Sequence, residues 1–130
     1  MEKWGAKPAI GAPVWPTRFV PMKTPLSSRL LAAHFANGAC PEPLTIRSAL
    51  AHCEQRGLQV GLIINLAAHH CLYAEDVPLN VPMEHVRMAA KILPTLAAVQ
   101  QVIRTADAFW RQHPEQYIAI HCDYGALPAF

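Results

Sequence analysis

The sequence predicts an α/β domain built on a central, mostly parallel sheet flanked by helices. Three observations carry that prediction. Leu58 to Leu66 reads Leu-Gln-Val-Gly-Leu-Ile-Ile-Asn-Leu, β-branched and almost continuously apolar, as strands buried on both faces are. Tyr117 to His121 is a second short apolar strand, and between the two lies a long amphipathic helical pattern. Strand, helix, strand in that order favours a parallel pair, and parallel sheets bind ligands beyond the carboxyl ends of their strands. Cys122 stands at such an end.

Taken in order, residues 1 to 43 alternate proline, glycine and small residues around Trp4, Ile10, Trp15, Phe19 and Leu26. That pattern predicts an extended segment, poor in regular structure, that wraps the core and is pinned to it. From Thr45 to Arg56 the apolar positions Ile46, Ala49, Leu50 and Cys53 follow helical spacing, with Thr45 placed to cap the start and Gly57 just past the end. The buried strand 58–66 follows. His85 to Ala89 is predicted as a short strand from Val86 and Met88. Thr95 caps a helix running to Gln112, in which Val99, Val102, Ile103, Ala106 and Trp110 form one core-facing stripe and His113-Pro114 stops the helix.

Composition bounds the rest. The 130 residues fit one domain, and a 52% apolar share is enough for an ordinary core. Eleven basic and nine acidic residues give a net charge of +2 without like-charge blocks, so charge alone does not demand nucleic acid. The polar start Met-Glu-Lys-Trp-Gly does not read as a signal peptide, and no apolar run approaches the ~18 residues of a membrane span. A soluble nuclear or cytoplasmic protein with no membrane partner is expected. Cys40, Cys53, Cys71 and Cys122 form no Cys-x-x-Cys pair, so reduced thiols are expected. His52-Cys53 and His69-His70-Cys71 match no zinc spacing, and neither metal nor cofactor is expected.

His121-Cys122-Asp123-Tyr124-Gly125, directly after an apolar strand, resembles the opening of the His-Cys-x-x-Gly-x-x-Arg phosphate loop of the cysteine-dependent phosphatases. Arg18-Phe19-Val20-Pro21-Met22-Lys23-Thr24-Pro25-Leu26 is similar to the Phe-x-Pro-x-Lys-x-Pro-Leu segment of the RNA 5'-triphosphatase domain of mRNA capping enzymes and related RNA 5'-phosphatases in the dual-specificity phosphatase superfamily. Gly61 to Leu66, with Tyr73 after it, falls where that family has a Gly-Leu-x-x-Asp-Leu-Thr-Asn strand end followed by aromatics. The three anchors keep the family's order and cover nearly the whole chain.

The resemblance implies a chemistry. Cys122 would be the nucleophile, attacking phosphorus as a thiolate whose pKa is lowered by a cradle of backbone N–H groups. His121, Asp123, Tyr124 and Gly125 would form the phosphate-binding turn around it, and Lys23 would contact the substrate end. A phosphocysteine forms and water resolves it. An RNA 5' end or a phosphoprotein is the implied partner. Arg18, Arg29 and Lys91 are further sources of positive charge for such binding.

The sequence also departs from the family pattern. An arginine six residues after the cysteine would grip the phosphate, yet position 128 is Pro128, which brings neither a guanidinium nor an N–H. Losing one preorganised donor costs on the order of 100- to 1,000-fold in rate. Asn65 replaces a carboxylate, Ala67 and Ala68 replace Thr-Asn, and Cys71 replaces an arginine. Three expectations follow: a fragment of a working phosphatase, a degenerate relative that binds phosphate, RNA ends or protein without turnover, or an interaction module with no phosphate site. The chain is read as a single incomplete domain lacking the family's C-terminal helices, with an apolar sheet face left exposed as a partner surface or an aggregation liability.

Overall fold

A computed structural model describes residues 2–6, 8–35, 39–89 and 93–122. Four strands, β1 (Phe19–Pro21), β2 (Val60–Asn65), β3 (Met83–His85) and β4 (Tyr117–His121), lie in the order β1-β4-β2-β3, and every pairing is parallel. The predicted α/β architecture is therefore present, with the two apolar strands, β2 and β4, at the centre. All four carboxyl ends point to one edge of the sheet, so whatever follows Pro21, Asn65, His85 and His121 gathers there.

Helix α3 (Ile46–Gln55) forms where its spacing predicts. Thr45 caps it, with Ser48 closing a reciprocal capping box, and Gly57 at φ +75° turns the chain out of the helix. Helix α4 (Leu96–Gln112) is capped by Thr95, whose hydroxyl accepts from the Ala98 amide at 3.1 Å. Its buried line runs through Val102 and Ala106, flanked by Phe109 and Trp110. Ile103 does not join that line and is 60% exposed, a correction to the predicted stripe. It lies one residue, about 100° of helical turn, from Val102, beyond the arc that the sheet covers.

The N-terminal third holds more regular structure than its proline content predicts. Helix α1 (Glu2–Ala6), strand β1 and helix α2 (Ser28–His34) all fall within it. Their partners are remote. β1 pairs with β4 nearly a hundred residues later, and Ala9 to Gly11 folds back on Pro21 to Lys23 through Gly11 N to Pro21 O at 2.8 Å and Lys23 N to Ala9 O at 3.1 Å. β3 lies slightly earlier than predicted. The amides of Val86 and Met88 still bond the carbonyls of Asn65 and Leu66 at 2.9 and 3.1 Å, so the predicted residues do line the sheet edge.

Alternation along β2 and β4 sends side chains to two cores. Ile63 and Ala119 meet Trp4, Met22, Leu26, Ile46 and Tyr73 on one face, and Leu62, Ile64, Ile118 and Ile120 meet Val102 and Ala106 on the other. The wrapped N-terminal segment with α3 covers the first face and α4 the second. Among the described residues both sheet faces are covered, contrary to the sequence expectation. The exposed large apolar residues lie in loops and along the outer flank of α4, namely Val14, Trp15, Leu79, Leu93, Leu96 and Ile103.

Candidate active site

Cys122 emerges from the carboxyl end of β4, between β1 and β2, and is 6% exposed. Its side chain belongs to the core on the α4 face, while His121, one residue earlier, turns to the opposite face and is fully buried there. The pleat thus separates the imidazole from the neighbouring thiol.

His121 sits in a closed polar cluster. Its Nε2 lies 2.5 Å from the Tyr73 hydroxyl, and its Nδ1 lies 3.3 Å from both Thr24 Oγ1 and the Cys122 carbonyl. The Thr24 hydroxyl itself donates to the Cys122 carbonyl. Burial pushes the imidazole pKa down to about 4, against the opposing pull of the Cys122 carbonyl, with the nearby His69 and His85 lowering it further. His121 is therefore neutral at pH 7. Burial also raises the Tyr73 phenol well above its ordinary value, so the phenol keeps its proton and stays a donor.

The loop after β2 forms the other wall. Asn65 Oδ1 accepts from the Ala67 amide at 2.9 Å, His85 Nε2 donates to the Ala67 carbonyl at 2.7 Å, and Arg87 donates to the Ala68 carbonyl at 2.9 Å. Asn65 spends its oxygen on a local turn, and as an amide it offers no proton-transfer group. Cys71 lies beside Tyr73 and Asn65; burial raises its thiol pKa, and hydrogen bonds from those two residues oppose the rise. Among the described residues no group of three or more His, Cys, Asp or Glu side chains is arranged to hold a metal, and no helix is long and apolar enough to cross a membrane.

Several sequence-predicted contributors stand elsewhere. Lys23 is 1% exposed. Its ammonium donates to the Trp4 carbonyl at 2.8 Å and to the Glu42 carbonyl, and lies 3.9 Å from the centre of the Trp4 ring. Desolvation lowers its pKa, partly offset by Cys40 and Glu42. In this geometry the side chain pins α1 and the Glu42 loop to the sheet. Arg18 lies at the amino end of β1, its guanidinium 5.6 Å from the Trp110 ring, at the opposite end of the strands from Cys122. Arg29 pairs with Glu75 at 3.4 Å on the surface. Lys91, Asp123, Tyr124, Gly125 and Pro128 lie outside the described residues.

The sequence reading missed Thr24, His85 and Arg87 as members of this edge. Thr24 carried a signal, since it follows β1 within the Lys-Thr-Pro-Leu segment. His85 and Arg87 carried none, because their bonds go to backbone carbonyls that no side-chain pattern marks.

No family model matches the chain. It is 26% identical over 126 residues, 95% of its length, to "Putative tyrosine-protein phosphatase 1" of Orgyia pseudotsugata multicapsid polyhedrosis virus, and covers 54% of that protein. The chain thus spans about half the length of the curated relative it matches. A parallel α/β sheet with a cysteine at the carboxyl end of a central strand, together with this distant likeness, gives the chain a resemblance to the phosphatases.

Proposed function

We propose that the edge of the sheet at Cys122 is a phosphate-end site of the RNA 5'-phosphatase type, and that the chain binds such an end without hydrolysing it. The observation that carries the reading is the position of Cys122, at the carboxyl end of a central parallel strand with a neutral, fully hydrogen-bonded His121 behind it. The resemblance assigns the anion cradle to Asp123, Tyr124 and Gly125, which lie outside the described residues. The segment from Arg18 to Leu26 favours an RNA end, by its likeness to the RNA 5'-phosphatases. The printed name of the viral relative favours phosphotyrosine as the second reading.

Turnover fails on two residues. Pro128 removes the guanidinium that would hold the transferring phosphoryl group, and Asn65 has no proton to give or take. The test pairs binding with turnover. Fluorescence anisotropy compares short RNAs carrying a 5'-triphosphate or a 5'-hydroxyl, and phosphate release is followed from the triphosphate RNA and from an aryl phosphate. The expected result is a preference for the triphosphate end with release at background, unchanged in Cys122→Ser. Equal binding of the two RNAs contradicts the RNA site; release abolished by Cys122→Ser contradicts the loss of turnover.

A further inference from the structure

We propose that Thr24 is the positioning residue of the Cys122 site: its hydroxyl decides which nitrogen of His121 carries the proton and fixes the carbonyl from which the thiol-bearing residue leaves the strand. The inference deepens the phosphatase reading and rests on it for the role of Cys122.

The hydrogens around His121 fix its tautomer. Thr24 has one hydroxyl hydrogen, and its contact with the Cys122 carbonyl consumes it, because a carbonyl only accepts. The hydroxyl oxygen therefore faces His121 Nδ1, 3.3 Å away, as an acceptor. The other neighbour of Nδ1 is that same Cys122 carbonyl, also at 3.3 Å and also an acceptor. Nδ1 must carry the hydrogen. In a neutral ring Nε2 is then bare, and it accepts from the Tyr73 hydroxyl at 2.5 Å; the neighbouring Cys71, its thiol pKa raised by burial, keeps its own proton and leaves the phenol hydrogen to the ring. The chain of donors runs one way, from Tyr73 through His121 and Thr24 to the Cys122 carbonyl. A hydroxyl at position 24 is the only member that touches both the ring and the carbonyl.

Thr24 is itself held. Met22 N bonds the Ile120 carbonyl at 3.0 Å, extending the β1–β4 ladder, Lys23 N bonds Ala9, and the Trp4 indole N–H donates to the Thr24 carbonyl at 2.6 Å. At 1% exposure no water competes for the hydroxyl. Because the Cys122 side chain lies on the opposite face, Thr24 acts through the backbone and touches no reacting atom. The peptide that it grips is the one joining Cys122 to Asp123.

The test uses the full chain as wild type, Thr24→Ser and Thr24→Val, with 15N-labelled histidine and the His121 signals assigned by their loss in His121→Gln. The expected result is a protonated Nδ1 and a bare Nε2 in wild type and Thr24→Ser. Thr24→Val, nearly isosteric and without the hydroxyl, shifts the ring toward the Nε2–H form and slows Cys122 alkylation by iodoacetamide about 3- to 10-fold at fixed pH, the range one hydrogen bond commands. A wild-type ring protonated on Nε2 overturns the proposal, as does a folded Thr24→Val protein with unchanged ring signals and alkylation rate. If Thr24→Val does not fold, the wild-type and Thr24→Ser spectra decide. Failure of the phosphatase reading is separate: it appears as equal binding of the two RNA ends while the ring signals stay as expected.

Discussion

The two faces of the sheet are built on different principles. The face under α4 is apolar throughout, with Leu62, Ile64, Ile118 and Ile120 against Val102 and Ala106. The face under the N-terminal wrap buries Lys23, Thr24, Ser27, Asn65 and His121 alongside its apolar residues; Ser27 and Asn65 bond locally, to the Leu30 and Ala67 amides, whereas the bonds of Lys23, Thr24 and His121 cross long stretches of chain. Trp4 meets Thr24 across 20 residues, Tyr73 meets His121 across 48, and Thr24 meets Cys122 across 98. An apolar face is held by area alone and tolerates small shifts. On a wired face a shift strands a buried donor.

Substitution of Trp4 should separate the faces most sharply. The indole is 1% exposed, packs on the Phe35 ring at 5.9 Å, donates to Thr24 and lies under the Lys23 ammonium. Trp4→Ala should cost about 3–5 kcal/mol in urea unfolding, the range for deleting a buried aromatic, and should loosen Thr24 with it. A loss below about 1 kcal/mol would mean that the wrap is not part of the folded core.

Acid should act on the wired face next. The folded His121 pKa of about 4 lies below the ~6.5 of an unfolded histidine, so the unfolded chain takes up a proton first as pH falls. Stability from this group is complete above about pH 6.5 and drains away as pH drops toward 4. Between pH 7 and pH 5 the loss should be roughly 2 kcal/mol, read from urea midpoints, and His121→Gln should flatten that part of the profile. A wild-type profile that is already flat there would show that His121 is charged or exposed.

How far the sequence revealed all this follows the same division. The α4 face was legible: β2, β4 and α4 each bury a periodic apolar set, and Thr95, Thr45 and Gly57 mark helix ends by local chemistry. The wrapped face was not, because a proline-rich segment carries no period and its bonds depend on residues far along the chain. Lys23 shows the difficulty. A lysine just past a short strand reads as exposed, and the Trp4 and Glu42 carbonyls, brought together by the fold, help to bury it. The place of Cys122 at a strand end was legible in the apolar run before it, whereas Thr24 and Tyr73 entered the sequence reading only as parts of quoted segments.

The most direct test of the central claim is the alkylation rate of Cys122 by iodoacetamide at pH 6, with and without inorganic phosphate, followed by mass spectrometry of the Cys122 peptide. A thiol 6% exposed, followed by a sequence with proline in place of the arginine, should react slowly, and phosphate bound beside it should slow it further. Fast labelling that phosphate does not touch would contradict the phosphate site and leave Cys122 as an ordinary thiol at the end of a strand.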